Sequence, residues 1–183
     1  AYDPALSKKL LAEAGYGSGL KVKGYYNNTT MGQAIAEAVK GMLSQVGIDW
    51  QVDLMAPAAL AARMQKADYD LAQGGWNWIY DPDLMPTGLY HPDGGFNFGR
   101  SKNDEAIALI EAGRKEIDLE KRKAIYWKLE EVLYNSYEDA WMWWEETTFA
   151  LRKQVQGWDQ EGYLKHKDAW YWSHPLWFKD GKA

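Results

Sequence analysis

Cysteine is absent from this 183-residue chain, so neither a disulfide framework nor a thiolate metal site is possible and cysteine usage says nothing about redox compartment. Long apolar runs are also missing, and a bilayer-spanning helix needs about 20 such residues. The first residues, AYDPALSKKLL, lack the basic, apolar and small-residue regions of a signal peptide, so the chain is expected to begin as mature sequence or as a cut fragment. There is no excess of positive charge: Lys and Arg total 21 against 26 Asp and Glu, for a net charge of −5. Nucleic-acid binding draws its affinity from clustered cations, so nucleic acid is not an expected partner.

Catalytic signatures are equally scarce. No GxSxG, Walker or dinucleotide fingerprint occurs, and His91, His166 and His174 stand apart with no triad neighbour, reading as surface histidines. His166 and Asp168 are two residues apart but lack the further ligands a metal needs. Glu145 and Glu146 are adjacent, so on a strand they point to opposite faces and do not form the facing pair of a glycosidase. No enzyme, cofactor or metal is expected; the alternatives are a carbohydrate hydrolase using Asp81, Asp83 or Glu146 and a protein-interaction domain that buries its aromatic rings against a partner.

What the chain has in abundance is aromatic rings, with 11 Trp and 12 Tyr. A hydrophobic fraction of 46% with 26% charged residues fits one globular domain with a sizeable core. One core rarely needs so many large rings, so some are expected to line a surface that meets a ligand or partner; the others fill core gaps.

Periodicity orders the rest. Asp3 and Pro4 open a helix to about Ala14 with Leu6, Leu10 and Leu11 as its apolar stripe, and Gly15 stops it. Leu20 to Tyr26 alternates as a strand, and Asn27 to Thr30 is a polar loop. Met31, Ile35, Ala38, Val39, Met42 and Leu43 recur at helical spacing up to Val46, before Gly47. Ile48, Trp50, Val52 and Leu54 mark a second strand, Pro57 opens a short helix to about Lys66, and Tyr69 to Trp76 supplies a third strand. Strands separated by helical crossovers give a parallel βαβαβ sheet, hence an α/β fold. Ligands of such sheets bind beyond the carboxyl ends of the strands, where Gly74 to Asp83 begins.

A long loop carrying Pro82, Pro86, Pro92, Gly94 and Gly95 follows, with a short helix expected at Leu84 to Tyr90. Helices from Asp104 to about Glu116, with Ile107, Leu109, Ile110 and Ala106 as candidates for its apolar set, and from Leu119 to about Asn135, with Ile125, Leu129, Val132 and Leu133, form a hairpin. Lys121, Arg122 and Lys123 read as a solvated helix face. Trp141 to Leu151 reads as a strand pair or one long strand, ahead of a turn at Gln156 and Gly157.

Several segments together resemble the family 5 solute-binding proteins of bacterial ABC importers. YDPALSKKLLAEAGY is similar to the helix leading into that family's second lobe, and QAIAEAVKGMLSQVGIDWQVD to its next helix and strand. ADYDLAQGGW with YDPD resembles its third strand and Asp-Pro turn, NDEAIALIEAGRKEIDLEKRKAIYWKLEEVLYNSYEDA its helical hairpin, and FALRKQVQGW its return strand. The resemblance implies a lobe of the type II periplasmic-binding-protein fold, with residues 1–154 forming the C-terminal lobe of a two-lobe clamp and 155–183 crossing back to a missing N-terminal lobe. It further implies a peptide or similar small solute held between lobes, ABC permease subunits as membrane partners, and a periplasmic or lipid-anchored outer-surface location.

The same resemblance assigns Gly75 and Asn77 the role of offering backbone hydrogen bonds to a ligand main chain, by strand addition. Peptide-binding members place an aspartate for the ligand ammonium where this chain has Ile79, so either Asp81 or Asp83 serves instead, or the solute carries no free amine. If the segment is extended, Trp76, Trp78 and Tyr80 share one face on which sugar rings or apolar side chains stack; Trp76 alternatively packs beneath the sheet end. Asp81-Pro82-Asp83 is also a turn that caps the next helix. Trp141, Trp143 and Trp144 form a second aromatic cluster, Trp143 being the one expected to face the cleft.

Overall fold

In the computed structural model, the described residues are 2–75, 81–143, 150–157, 177–179 and 181. The backbone divides into two compact units, Ala1–Glu138 and Asp139–Ala183. The boundary expected after residue 154 falls inside the second unit.

The first unit begins with α1 (Pro4–Glu13), where the Asp3 carboxylate accepts the Leu6 amide at 2.9 Å and proline occupies the first turn. Gly15 follows at φ +88°, the left-handed stop that a side chain would resist. Strand β1 (Leu20–Asn27), helix α2 (Thr30–Gln45), strand β2 (Ile48–Met55), helix α3 (Pro57–Gln65) and strand β3 (Leu71–Ala72) come next. They build a parallel sheet in the order β2-β1-β3, with Leu20 opposite Ile48 and Gly24 opposite Leu71.

Neighbouring residues on a strand face opposite ways, which places the two helices. Tyr26 and Trp50 pack with Ala36, Ile35, Val39 and Leu43 of α2. Tyr25, one residue earlier, lies under the Arg63 guanidinium of α3, 5.6 Å from the ring centre. Helices α2 and α3 therefore cover opposite faces, as a doubly wound sheet requires. Trp50 is 1% exposed and meets Tyr26 edge to face at 6.3 Å, so this tryptophan is core.

The third strand is shorter than Tyr69 to Trp76. Main-chain bonds to β1 run one residue further at each end, the Asp70 and Gln73 amides donating to the Lys23 and Tyr25 carbonyls at 2.9 and 3.0 Å. Side chains of the same residues supply the next partners: the Asp70 carboxylate accepts the Lys23 amide at 2.9 Å and the Gln73 amide oxygen accepts the Asn27 amide at 3.1 Å. Close approach is absolute at Gly24, where a β-carbon would stand 1.7 Å from the Leu71 carbonyl oxygen.

Beyond the sheet, α4 (Leu84–Tyr90), α5 (Asp104–Lys115) and α6 (Leu119–Ser136) share a second core of Tyr90, Ala106, Ile110, Tyr126, Leu129 and Leu133. Helix α5 starts on Asn103 and α6 on Asp118, whose side chains accept the Ala106 and Lys121 amides at 3.1 and 3.0 Å. The Arg100 guanidinium donates to the Gln65 carbonyl at 3.1 Å, tying the intervening loop to the end of α3.

In the second unit, the short strands β4 (Val155–Gln156) and β5 (Trp177–Phe178) pair antiparallel. Trp141 to Trp143 and Ala150 to Leu151 carry no regular structure, so the strand expected over Trp141 to Leu151 does not form in its described parts. A strand needs a ladder partner, and none of the described residues supplies one there.

Candidate functional site at the carboxyl ends of β1 and β3

In the order β2-β1-β3, the chain leaves β1 in one direction and reaches β3 in the other, so the topological switch point lies between the carboxyl ends of β1 and β3. Asn27 ends β1 and Gln73 follows β3. The Gln73 oxygen accepts both the Asn27 amide, at 3.1 Å, and the Asn27 side-chain nitrogen, at 2.5 Å. Asn27 in turn accepts the Thr29 amide at 3.1 Å and its hydroxyl, and the Thr29 hydroxyl oxygen caps α2 by accepting the Gly32 amide at 3.0 Å. A continuous polar chain thus fixes the sheet edge and the start of α2 relative to each other.

Gly74 and Gly75 leave this point exposed, with open space where a β-carbon would stand. Trp76, Asn77, Trp78 and Tyr80 lie outside the described residues, as does Ile79.

The chain is described again at Asp81, and there the carboxylates are engaged. Arg122 of α6 donates from Nη2 to Asp81 Oδ1 at 2.7 Å and from Nη1 to Oδ2 at 3.2 Å. Asp81 Oδ1 also accepts the Asp83 amide at 2.8 Å, closing the expected turn. The Arg122 hydrogen bonds hold the Asp81 carboxyl below the usual carboxylate range. Asp83 stands at the start of α4 but caps no helix amide; its Oδ1 accepts the Tyr126 hydroxyl at 3.0 Å and the Thr87 hydroxyl at 2.8 Å. Burial, reinforced by the Asp83 hydrogen bond, pushes the Tyr126 phenol up to about 12.

Two sequence expectations change. Arg122 is no solvated cation: besides binding Asp81 it donates Nε–H to the Gly113 carbonyl at 3.1 Å and lies 5.0 Å over the Tyr126 ring. The signal was in the spacing, because Arg122, Tyr126, Leu129 and Leu133 recur on the buried face of α6. His91 is buried, not superficial: its Nε2 lies 3.2 Å from Glu111, and its Nδ1 accepts the Asp93 amide at 3.2 Å. His166 and His174 lie outside the described residues.

Trp143 belongs to the second unit and is 52% exposed. Among the described tryptophans, Trp127, Trp141 and Trp177 are also exposed, in contrast to Trp50. Among the described residues no group of His, Asp and Glu is placed to hold a metal ion, and no helix is long and apolar enough to cross a membrane.

Residues 1–97 match the bacterial extracellular solute-binding proteins, family 5, middle region. The chain belongs to this family. The probable D,D-dipeptide-binding periplasmic protein DdpA of Escherichia coli is 25% identical over 137 residues, which are 73% of this chain and 27% of that protein. The structure of the ABC transporter substrate-binding protein CtaP of Listeria monocytogenes has a TM-score of 0.62 at 30% identity, covering 69% of this chain and 27% of that one. MoaA of A. tumefaciens, solved in complex with mannopinic acid, has a TM-score of 0.64 at 27% identity, covering 70% and 27%. The chain therefore spans about a quarter of the length of these family 5 relatives, which are solute-binding proteins rather than enzymes.

Proposed function

We propose that this chain is the C-terminal lobe of the clamp of an ABC importer's solute-binding protein, gripping a peptide or similar small solute against an N-terminal lobe and presenting it to a membrane permease without chemical change. The observation that carries the reading is the switch point: β1 and β3 end together, the Asn27 and Gln73 side chains join their ends, and the exposed Gly74-Gly75 pair leaves from that spot. Gly75, Trp76, Asn77, Trp78 and Tyr80 are the proposed ligand contacts, Gly75 and Asn77 through main-chain hydrogen bonds and the rings through stacking. Trp143 is also proposed as a ligand contact. Residues 155–183 are proposed to return to the first lobe, and the site of action is the cell exterior or periplasm.

A second reading concerns the ligand's charge. Ile79 supplies no anion, and the Asp81 and Asp83 carboxylates are committed to Arg122 and to Tyr126 with Thr87. Pairing a ligand ammonium with Asp81 would break a bidentate bond to arginine, which favours an amine-free solute such as an oligosaccharide, or a peptide whose amine stays in solvent.

Calorimetric titration of the full two-lobe protein with short peptides, their N-acetylated forms and oligosaccharides tests both readings. Saturable binding is expected, with N-acetylation changing affinity less than about 3-fold. Absence of binding by every compound would refute the clamp, and a loss of 10-fold or more on acetylation would restore an ammonium partner.

A further inference from the structure

The described rim of the switch point is made of residues 27–33, where β1 turns into α2, and residues 73–75 after β3. None of these side chains is ionisable. Asn27, Thr29 and Gln73 are committed to one another, and the Thr29 hydroxyl oxygen also caps α2 at Gly32. Asn28 is different. Its side chain is exposed and bonds to none of the described residues, so the carboxamide keeps an acceptor oxygen and a donor nitrogen for another molecule.

The main chain that carries this free carboxamide is fixed from both sides. The Asn28 amide donates to the Met55 carbonyl, at the end of β2, at 3.0 Å. The Asn28 carbonyl accepts Nε2 of Gln33, in the first turn of α2, at 2.9 Å. Residue 28 is thus tied to a strand end and to a helix, and only its short side chain is left to be ordered by a ligand.

We propose that the Asn28 side chain is a ligand contact of the solute site, hydrogen-bonding an uncharged donor–acceptor group of the solute, such as a peptide unit or a sugar hydroxyl. An ammonium or a carboxylate would need an opposite charge, and the described rim has none. A peptide unit or a hydroxyl presents a donor beside an acceptor, which a carboxamide meets on both counts. Gln33 is then a positioning residue, acting through the Asn28 carbonyl. The proposal rests on the solute-binding reading and gives the chemistry of the solute at this edge. Because the Asn28 side chain has no partner among the described residues, its loss is expected to show in affinity while leaving the fold intact.

The test uses the full two-lobe protein. Short peptides and linear oligosaccharides are titrated by calorimetry, and the tightest binder is measured on wild type, Asn28→Ala, Asn28→Asp, Gln33→Met and the Asn28→Ala/Gln33→Met double variant. Whether that binder is a peptide or an oligosaccharide identifies the group that Asn28 meets. Kd is expected to rise about 5-fold or more in Asn28→Ala, the loss of a neutral hydrogen bond, and further in Asn28→Asp, which keeps the size but replaces the donor with a charge. Gln33→Met is expected to weaken binding in the wild-type background and to have no effect on top of Asn28→Ala. The melting temperatures of ligand-free Asn28→Ala and Asn28→Asp are expected within about 2 °C of wild type. The ratio of Asn28→Ala to wild-type Kd is expected to be the same at low and high salt, as an uncharged contact requires. Unchanged Kd in both Asn28 variants overturns the proposal. So does a Gln33→Met effect that persists undiminished in Asn28→Ala, or an Asn28→Ala loss that vanishes at high salt. A wild-type protein that binds no compound refutes the solute-binding reading itself, an outcome distinct from a protein that binds and ignores Asn28.

Discussion

Tyr126 shows how one side chain connects a buried core to a polar turn. Its ring packs with Ile110 and Leu129 while its hydroxyl donates to Asp83, and burial raises its ionisation to about 12 from the ordinary 10.0. Above pH 10 the unfolded chain loses this proton before the folded one, so the unfolded state binds fewer protons and stability falls as pH rises from 10 toward 12. Urea denaturation across that range is expected to show a steeper loss for wild type than for Tyr126→Phe; parallel curves would contradict the burial argument. Gly24 gives a second prediction at this scale. A β-carbon there would meet the Leu71 carbonyl at 1.7 Å, so Gly24→Ala is expected to cost at least about 1–3 kcal/mol in chemical denaturation, through separation of β1 from β3. Individual roles were the part least legible from sequence. Arg122 sits between Lys121 and Lys123 in a run that reads as solvated, although it shares a helix face with Tyr126 and Leu129, and His91 carries no sequence mark of its burial. Both depend on contacts with distant segments, which local pattern does not encode.

Helices followed their local signals closely, because caps and periodicity are short-range chemistry. Asp3, Asn103 and Asp118 each accept an amide at the start of a helix, and the apolar rows of α5 and α6 do face each other. Thr29 performs the same task for α2, at the candidate site. Thr29→Ala is expected to destabilise by about 1 kcal/mol, read as a shift in the urea midpoint at constant slope. Ile110 is fully buried in the hairpin core, so Ile110→Ala is expected to cost about 2–5 kcal/mol. The limits of β3 are less legible from sequence, because Asp70 and Gln73 bond to β1 with both main chain and side chain, and the side chains take the places of the next backbone partners. The stripe of α1 also behaves unlike a core face: Leu6 and Leu10 are 49% and 53% exposed. An apolar row specifies a face without specifying what covers it.

The whole molecule is legible as a lobe because element order, sheet order and family membership agree. Strands alternating with helices gave a parallel α/β sheet, the observed order β2-β1-β3 located the switch point, and residues 1–97 match the family 5 solute-binding proteins. Ligand identity is not written in that architecture, since on the proposed reading it depends on a few side chains at the strand ends and on a facing lobe. The most direct measurement of the central claim is hydrogen exchange on the full two-lobe protein, with and without a solute that binds it by calorimetry. The account predicts that solute slows exchange chiefly at residues 27–32 and 73–81, around the ends of β1 and β3. Slowed exchange confined to other surfaces, with these residues unchanged at saturation, would contradict it.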